Sequence, residues 1–235
     1  MKNLKEIIKE AEQKGVAIGH FNISECAALK GIFAAAKELN LPVIIGVSEG
    51  EREFIGVKRA ALFVKRLKEE FNFPIFINAD HTKSLGKIKE AVEAGFDAVM
   101  FDASDLPLEE NIKKTKEVVD YVKSVNPEIL VEAELGYLQG SSIILSTSDV
   151  NKIKKGDLTK PEEAAAFVKE TGVDLLAPSV GNLHGMFKNS PNPNLDIERV
   201  KEIKEALQQS SGQAVPLVLH GGSGIRDEEF LKAID

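Results

Sequence analysis

The chain has 235 residues, of which 43% are hydrophobic and 29% are charged, and its formal net charge is −7. This length suits one α/β domain with a sizeable core, and the single cysteine, Cys26, excludes an internal disulfide. Acidic and basic residues are interleaved and no apolar run reaches the roughly 18 residues that span a bilayer, so neither nucleic acid nor membrane is an expected partner.

The N-terminal stretch is a charged amphipathic helix without an apolar signal core, which predicts a cytoplasmic protein. After it, apolar periodicity predicts strands that alternate with helices. Ser24 and Thr159 are predicted N-caps, and Pro161 is placed in a first turn. The predicted strands are residues 16–22, 43–47, 74–78, 98–101, 128–135, 173–179 and 215–220. The later helices include residues 52–72, 196–208 and 227–234.

Residues 77–104 contain one strand–helix–strand unit. Its first apolar run stops at Asp80 and His81, a helical repeat ends at Gly95, and the second apolar run stops at Asp102. Both acidic residues therefore lie where a strand gives way to a loop, the position at which parallel α/β folds carry catalytic residues. Adjacent residues on an extended segment point apart, so Asp80 and His81 can face one site only if the strand ends there and the chain turns.

Repeated strand–helix units predict a parallel sheet, and right-handed crossovers would wrap such units into a barrel. A closed barrel has eight strands, whereas seven are predicted here, so either the pattern misses one strand or the sequence is a C-terminally incomplete version of the domain. We therefore expect a single domain over residues 1–235, a (β/α)8 TIM barrel that lacks the eighth strand and the C-terminal region. The irregular stretch 137–157 is too long for an ordinary connection and is expected to be a functional loop.

Three of the four histidines follow predicted strands. His81, His184 and His220 come after the third, sixth and seventh strands, whose ends converge on one mouth of a barrel. Any one of them alone is more often a solvated or capping residue, but three at equivalent positions favour a shared role. Three imidazoles and an open position are the ligand set of a catalytic zinc. His20 lies inside the first strand, and we expect a structural role for it.

The sequence HGGSG at 220–224 is typical of an anion-binding turn, although it also serves as an ordinary turn. Successive glycines before a helix let backbone N–H groups point into one concavity that suits phosphate. Its position beside a candidate metal ligand favours a phosphorylated substrate whose carbonyl or hydroxyl groups bind the metal.

Four blocks of the sequence closely resemble the signature blocks of class II, zinc-dependent fructose-bisphosphate aldolases and their tagatose-bisphosphate relatives. The resemblance implies reversible cleavage of a ketose bisphosphate, with fructose 1,6-bisphosphate favoured, into glycerone phosphate and an aldehyde such as glyceraldehyde 3-phosphate. It also implies a homo-oligomer, a dimer or a tetramer. The alternatives are another sugar-phosphate aldolase and a catalytically impaired phosphosugar-binding relative. The blocks are DHTKSLGKIKEAVEAGFDAVMFDAS, VEAELG, VGNLHGMFK and LHGGSG.

The resemblance implies a role for each matching residue. His81, His184 and His220 match the zinc ligands, and Asp80 matches the acid/base that moves the proton of the C4 hydroxyl. The positions that match a second or alternative metal position are Asp102 and Glu134. The positions that match substrate contacts are Asn22, Ser48, Gly185, Lys188, Gly221, Gly222 and Ser223.

Several of these residues have a structural alternative. Asp102 also fits a helix cap, and Glu134 also fits a carboxylate that orients a ligating histidine. Ser48 also fits a simple turn, and Lys188 a solvated surface position.

The sequence departs from the family pattern in two loops. Family members carry glutamates after ELG, one of which removes the proton from the enolisable carbon, and here Ser141 and Ser142 stand in their place. The nearest candidates for this base are Glu132 and Glu134. After Ser48, the sequence EGERE adds negative charge where a second phosphate would approach.

Overall fold

The structure, a computed structural model, describes residues 2–136, 140–145, 158–187, 192–211 and 215–234. The chain divides into two compact units. The first consists of Met1–Asp102 and Glu117–Glu132, and the second of Ala103–Lys116 and Ala133–Asp235.

Helices and strands alternate along the described residues. The helices are α1 (Leu4–Lys14), α2 (Cys26–Leu39), α3 (Glu49–Ile55), α4 (Val57–Phe71), α5 (Leu85–Ala94), α6 (Leu108–Val125), α7 (Pro161–Thr171), α8 (Ile197–Ser211) and α9 (Asp227–Ile234). The strands are β1 (Gly19–Asn22), β2 (Val43–Val47), β3 (Ile75–Thr82), β4 (Ala98–Phe101), β5 (Leu130–Leu135), β6 (Gly140–Leu145), β7 (Leu175–Pro178) and β8 (His184–Phe187).

The first unit is built on parallel strands in the order β1-β2-β3-β4, followed by the first half of β5. The β2 and β3 strands are rich in β-branched and aromatic residues, and Ile45, Ile75 and Phe76 are fully buried. Burial on both faces is usual for a parallel sheet covered by helices. The predicted limits of β2 and β4 agree with the structure.

Helix boundaries in the first unit follow local backbone chemistry, with two differences from prediction. Glu25, not Ser24, is the N-cap of α2. The predicted helix 52–72 is two helices, because Gly56 has φ 92°, a conformation that a helix does not contain and that glycine adopts readily. Ser48 is the N-cap of the extra helix α3.

In the second unit, β7 lies next to β5, and the N-cap of α7 is Lys160 instead of the predicted Thr159. The predicted strand 215–220 appears only as a bridge: the Leu176 N–H donates to the Pro216 carbonyl at 3.1 Å, and the Val218 N–H donates to the Leu176 carbonyl at 2.8 Å. Proline has no N–H to donate to a ladder, which limits pairing there.

A second, two-stranded parallel sheet pairs β6 with β8. The sequence analysis assigned residues 140–145 to an irregular loop and did not predict a strand at β8. The run SSIIL contains β-branched residues that favour a strand once a partner is available. The rest of the predicted loop, residues 137–139 and 146–157, lies outside the described residues.

The fold class is confirmed: in the part of the chain that the structure describes, six parallel strands alternate with helices in the order expected of a (β/α)8 barrel. The single domain over residues 1–235 stays a prediction. None of the helices in the described part of the chain has the length and apolar character needed to cross a membrane.

Candidate functional site

Asp80 and His81 lie inside β3, which continues to Thr82 instead of stopping at residue 78. The expected turn is present in another form. His81 has φ 40°, and the pairing of β3 with β4 changes register between Ala79 and Thr82. This irregularity is a bulge, which changes the direction of side chains without ending a strand. A positive φ is uncommon at residues other than glycine, and the residues that have one are concentrated at functional sites.

The side chain of Asp80 accepts a hydrogen bond from Asn22, the last residue of β1. The Asn22 Nδ2 donates to Asp80 Oδ2 at 2.9 Å and lies 3.1 Å from Glu51 Oε2. Gly46 makes room for this contact, because a Cβ there would lie 2.5 Å from Asn22 Oδ1 and 2.3 Å from His20 Cε1. The structure therefore brings together Asn22 and Asp80, two residues that the sequence analysis named.

Arg52 donates hydrogen bonds to residues of the bulge, and it was not recognised as a site residue in the sequence. Its side chain is buried, and its guanidinium donates to the Val47 carbonyl, to the Asp80 carbonyl at 3.1 Å and to Thr82 Oγ1 at 2.8 Å. Burial lowers the pKa of the Arg52 guanidinium, and the charges of nearby carboxylates oppose this shift. The ends of β2 and β3 are thus joined through one cation.

Replacing Arg52 with methionine should lower the free energy of unfolding by about 2–4 kcal/mol, because three buried acceptors lose their donor. Urea denaturation measures this loss. Arg52→Lys is the matched control, since it keeps the charge and one donor nitrogen and should lose less. Equal stability of the methionine variant and the unmodified protein would show that the guanidinium contacts contribute little.

A second contact group surrounds His81. Its Nδ1 lies 3.1 Å from Asp102 Oδ2, and Lys83 Nζ lies 2.6 Å from the same oxygen. When Nδ1 donates to a carboxylate, Nε2 carries the lone pair that can bind a metal, an arrangement common to metal-ligating histidines. Asp102 precedes α6 by six residues, so it is not the cap of that helix. Its observed partners are instead a histidine and a lysine.

In the second unit, Glu134, His184 and His220 form a group that could hold a metal ion. Each offers one ligand atom, and these atoms lie within 4.8 Å of one another. Glu134 is 2% exposed, and the two imidazole rings lie 6.0 Å apart between centroids. Two imidazoles and a carboxylate are a donor set that suits zinc.

The main chain around this group is fixed by two asparagines. Asn182 Nδ2 donates to the His220 carbonyl at 3.0 Å, and Asn111 Nδ2 donates to the Glu134 carbonyl at 3.1 Å. Both asparagine side chains are buried. Because these bonds go to main-chain atoms, they position Glu134 and His220 whatever their side chains bind.

The glycine loop at 220–224 lies beside Leu183, which directly precedes strand β8 with Gly185. Gly221 has φ 69°, and a Cβ there would lie 2.1 Å from the Leu183 carbonyl oxygen, so the close approach requires glycine. Asn192, a buried residue that the sequence analysis missed, donates to the Gly185 carbonyl at 3.0 Å and lies 3.4 Å from the Ser223 carbonyl. The structure thus connects these glycine and serine positions.

The other named residues have different outcomes. Ser48 is the N-cap of α3, which differs from a simple turn, and its backbone N–H donates to Glu51 Oε2 at 2.7 Å; its contact with substrate stays a prediction. Lys188 lies outside the described residues. Ser141 and Ser142 lie in β6, where the backbone alone is described, and Glu132 is buried in β5.

Comparisons with known proteins agree on one family. The family model "Fructose-bisphosphate aldolase class-II" matches residues 2–235. The chain is 38% identical to a fructose-bisphosphate aldolase of Geobacillus stearothermophilus over 99% of this chain and 76% of that protein. It is 39% identical to a fructose-bisphosphate aldolase of Helicobacter pylori over 94% and 69% of the two chains. Among solved structures, the YdjI aldolase from Escherichia coli K12 has a TM-score of 0.81 and 34% identity, covering 99% of this chain and 77% of that chain.

Proposed function

This chain belongs to the class II fructose-bisphosphate aldolase family, and on that basis we propose that it is a zinc-dependent aldolase. It would cleave a phosphorylated ketose reversibly into glycerone phosphate and an aldehyde. The observation that carries the proposal is the group of Glu134, His184 and His220, whose atoms are close enough to share one metal ion. Fructose 1,6-bisphosphate is the substrate favoured by the resemblance, and tagatose 1,6-bisphosphate is the alternative within the family.

The proposed zinc ligands are His81, His184 and His220. Bound zinc would supply a Lewis acid that withdraws electron density from the ketose carbonyl. The contact between Asp102 and the Nδ1 of His81 supports a role for Asp102 in orienting that imidazole. A second or alternative metal position at Asp102 and Glu134 stays a prediction.

Asp80 is the proposed base for carbon–carbon cleavage. Its carboxylate accepts the proton of the C4 hydroxyl while the C3–C4 bond breaks and the aldehyde carbonyl forms, and the bonding electrons stay on the glycerone phosphate half. The hydrogen bond from Asn22 supports this role, because it restrains the carboxylate in one orientation. Protonation at C3 completes the turnover, with Glu132 and Glu134 as candidates for this step.

The phosphate of the glycerone half is proposed to bind at Gly185, near the start of β8, and at the loop of residues 221–223. Backbone N–H groups of such glycine loops form concavities for anions. Asn192 supports this role because it contacts the carbonyls of Gly185 and Ser223. These contacts restrain the two backbone segments before substrate binds.

The test is a cleavage assay on fructose and tagatose 1,6-bisphosphates after removal of metal with a chelator and stepwise return of zinc. We expect activity to disappear with the metal and to return at one zinc per chain. Full activity without metal, together with trapping of glycerone phosphate on a lysine by borohydride, would contradict the proposal.

The second candidate is a phosphosugar-binding protein with an impaired reaction, which the replacement of the loop glutamates by Ser141 and Ser142 favours. Solvent deuterium exchange at C3 of glycerone phosphate separates the two candidates. An active aldolase exchanges this hydrogen, whereas an impaired relative binds zinc and glycerone phosphate without exchange. The homo-oligomer and the cytoplasmic location stay predictions from the sequence.

A further inference from the structure

We propose that the aldehyde half of the substrate carries no phosphate, so that the preferred substrate is a ketose 1-phosphate and Glu51 enforces this choice. The proposal rests on the aldol cleavage proposed above, in which Asp80 meets the C4 hydroxyl. It concerns the part of the substrate beyond C4, which leaves as the aldehyde.

Glu51 lies beside the proposed base. The Asn22 Nδ2 is 2.9 Å from Asp80 Oδ2 and 3.1 Å from Glu51 Oε2. Two carboxylate oxygens that bond one nitrogen are at most about 6 Å apart. A substrate whose C4 oxygen reaches Asp80 therefore places its next carbons close to the Glu51 carboxylate.

Carboxylates of α3 already accept hydrogen bonds from two backbone N–H groups, those of Ser48 and Lys83. Glu51 Oε2 accepts the Ser48 N–H at 2.7 Å, and Glu49 Oε2 accepts the Lys83 N–H at 2.7 Å. A phosphate that approached Ser48 or Lys83 would have to displace these carboxylates and would be repelled by their charge. An uncharged hydroxyl group meets neither obstacle and can donate to a carboxylate oxygen.

Two of the cations near Glu49 and Glu51, Arg52 and Lys83, are engaged with other groups. The Arg52 side chain is buried, and its guanidinium donates to Val47, Asp80 and Thr82. The Lys83 ammonium lies 2.6 Å from Asp102. Arg52 and Lys83 are thus paired with groups of the protein, so neither is set aside to neutralise a phosphate beside Glu49 and Glu51.

The test compares fructose 1-phosphate with fructose 1,6-bisphosphate as substrates of the zinc-loaded protein. In parallel, calorimetry compares hexitol 1-phosphate with hexitol 1,6-bisphosphate, which lack the carbonyl and cannot be cleaved. We expect kcat/KM and affinity to favour the monophosphate by about tenfold, and Glu51→Gln to remove most of this preference. Glutamine keeps an oxygen that accepts from Ser48 and Asn22, so the substitution changes charge with little change in shape.

Glu53→Gln is the matched control, because Glu53 lies on the same helix with an exposed carboxylate 3.6 Å from Lys87. It should leave the ratio of the two substrates within about twofold. If Glu51→Gln does not fold, the unmodified protein supplies the same information: a preference that arises from charge weakens as salt is raised, and a preference unaffected by salt contradicts the proposal.

A preference of the unmodified protein for the bisphosphate would overturn the inference and leave the aldolase proposal intact. An unchanged ratio in a folded Glu51→Gln variant would also overturn it. Failure of the aldolase proposal is recognised separately, since neither ketose would then be cleaved and glycerone phosphate would not exchange its C3 hydrogen.

Discussion

Replacement of His220 with alanine is expected to weaken zinc binding by more than about 100-fold, because loss of even an outer partner of a metal ligand commonly costs 10- to 100-fold. The group of Glu134, His184 and His220 would lose one of its two imidazoles. The Asn182 bond goes to the His220 carbonyl, which alanine retains, so the local main chain should keep its position. Metal analysis after dialysis and competition with a chromophoric chelator measure the change.

His20→Ala is the control for this experiment. His20 is the remaining histidine of the chain, and its Nε2 lies 3.3 Å from Asn78 in the first unit. The control should keep one zinc per chain. Stoichiometric zinc in a folded His220→Ala variant would refute the ligand assignment. His81→Ala and Glu134→Ala are measured in the same way. Of these two variants, the one that loses more zinc affinity identifies the third ligand beside His184 and His220.

Replacement of Asp80 with asparagine is expected to lower turnover by roughly 10²- to 10⁴-fold while zinc stays bound, because a positioned acid/base contributes this much to rate. Asparagine retains an oxygen that can accept from Asn22, so the side chain should stay in place. Single-turnover cleavage and metal analysis on the same sample separate the two effects. Asp105→Asn, at an exposed position, should leave both quantities unchanged.

Unchanged turnover in the Asp80 variant would remove the proton-transfer role. A parallel loss of zinc and turnover would assign Asp80 to metal binding instead. The expected separation of zinc content from rate therefore distinguishes a base from a ligand.

The local sequence determined most of the elements and the candidate chemistry. The strands β2 and β4 are short apolar runs that stop at Ser48 and Asp102, and α9 has its predicted limits. Apolar periodicity is a local property, so it can be read without knowing which segments later pack together. His184 and His220 were named as candidate metal ligands because they follow predicted strands, and the second unit places both close to Glu134.

The tertiary structure alone decided how polar groups find their partners. The bulge at His81 depends on pairing with β4, and the burial of Arg52 depends on carbonyls that two strands present together. Asn192 contacts the carbonyl of Ser223, 31 residues further along the sequence, and Glu51 accepts from the side-chain amide of Asn22, 29 residues away. A buried donor must meet an acceptor, but the residue type does not specify which acceptor the fold delivers. For that reason, the elements and candidate ligands were predictable from sequence, whereas the residues that position them were not.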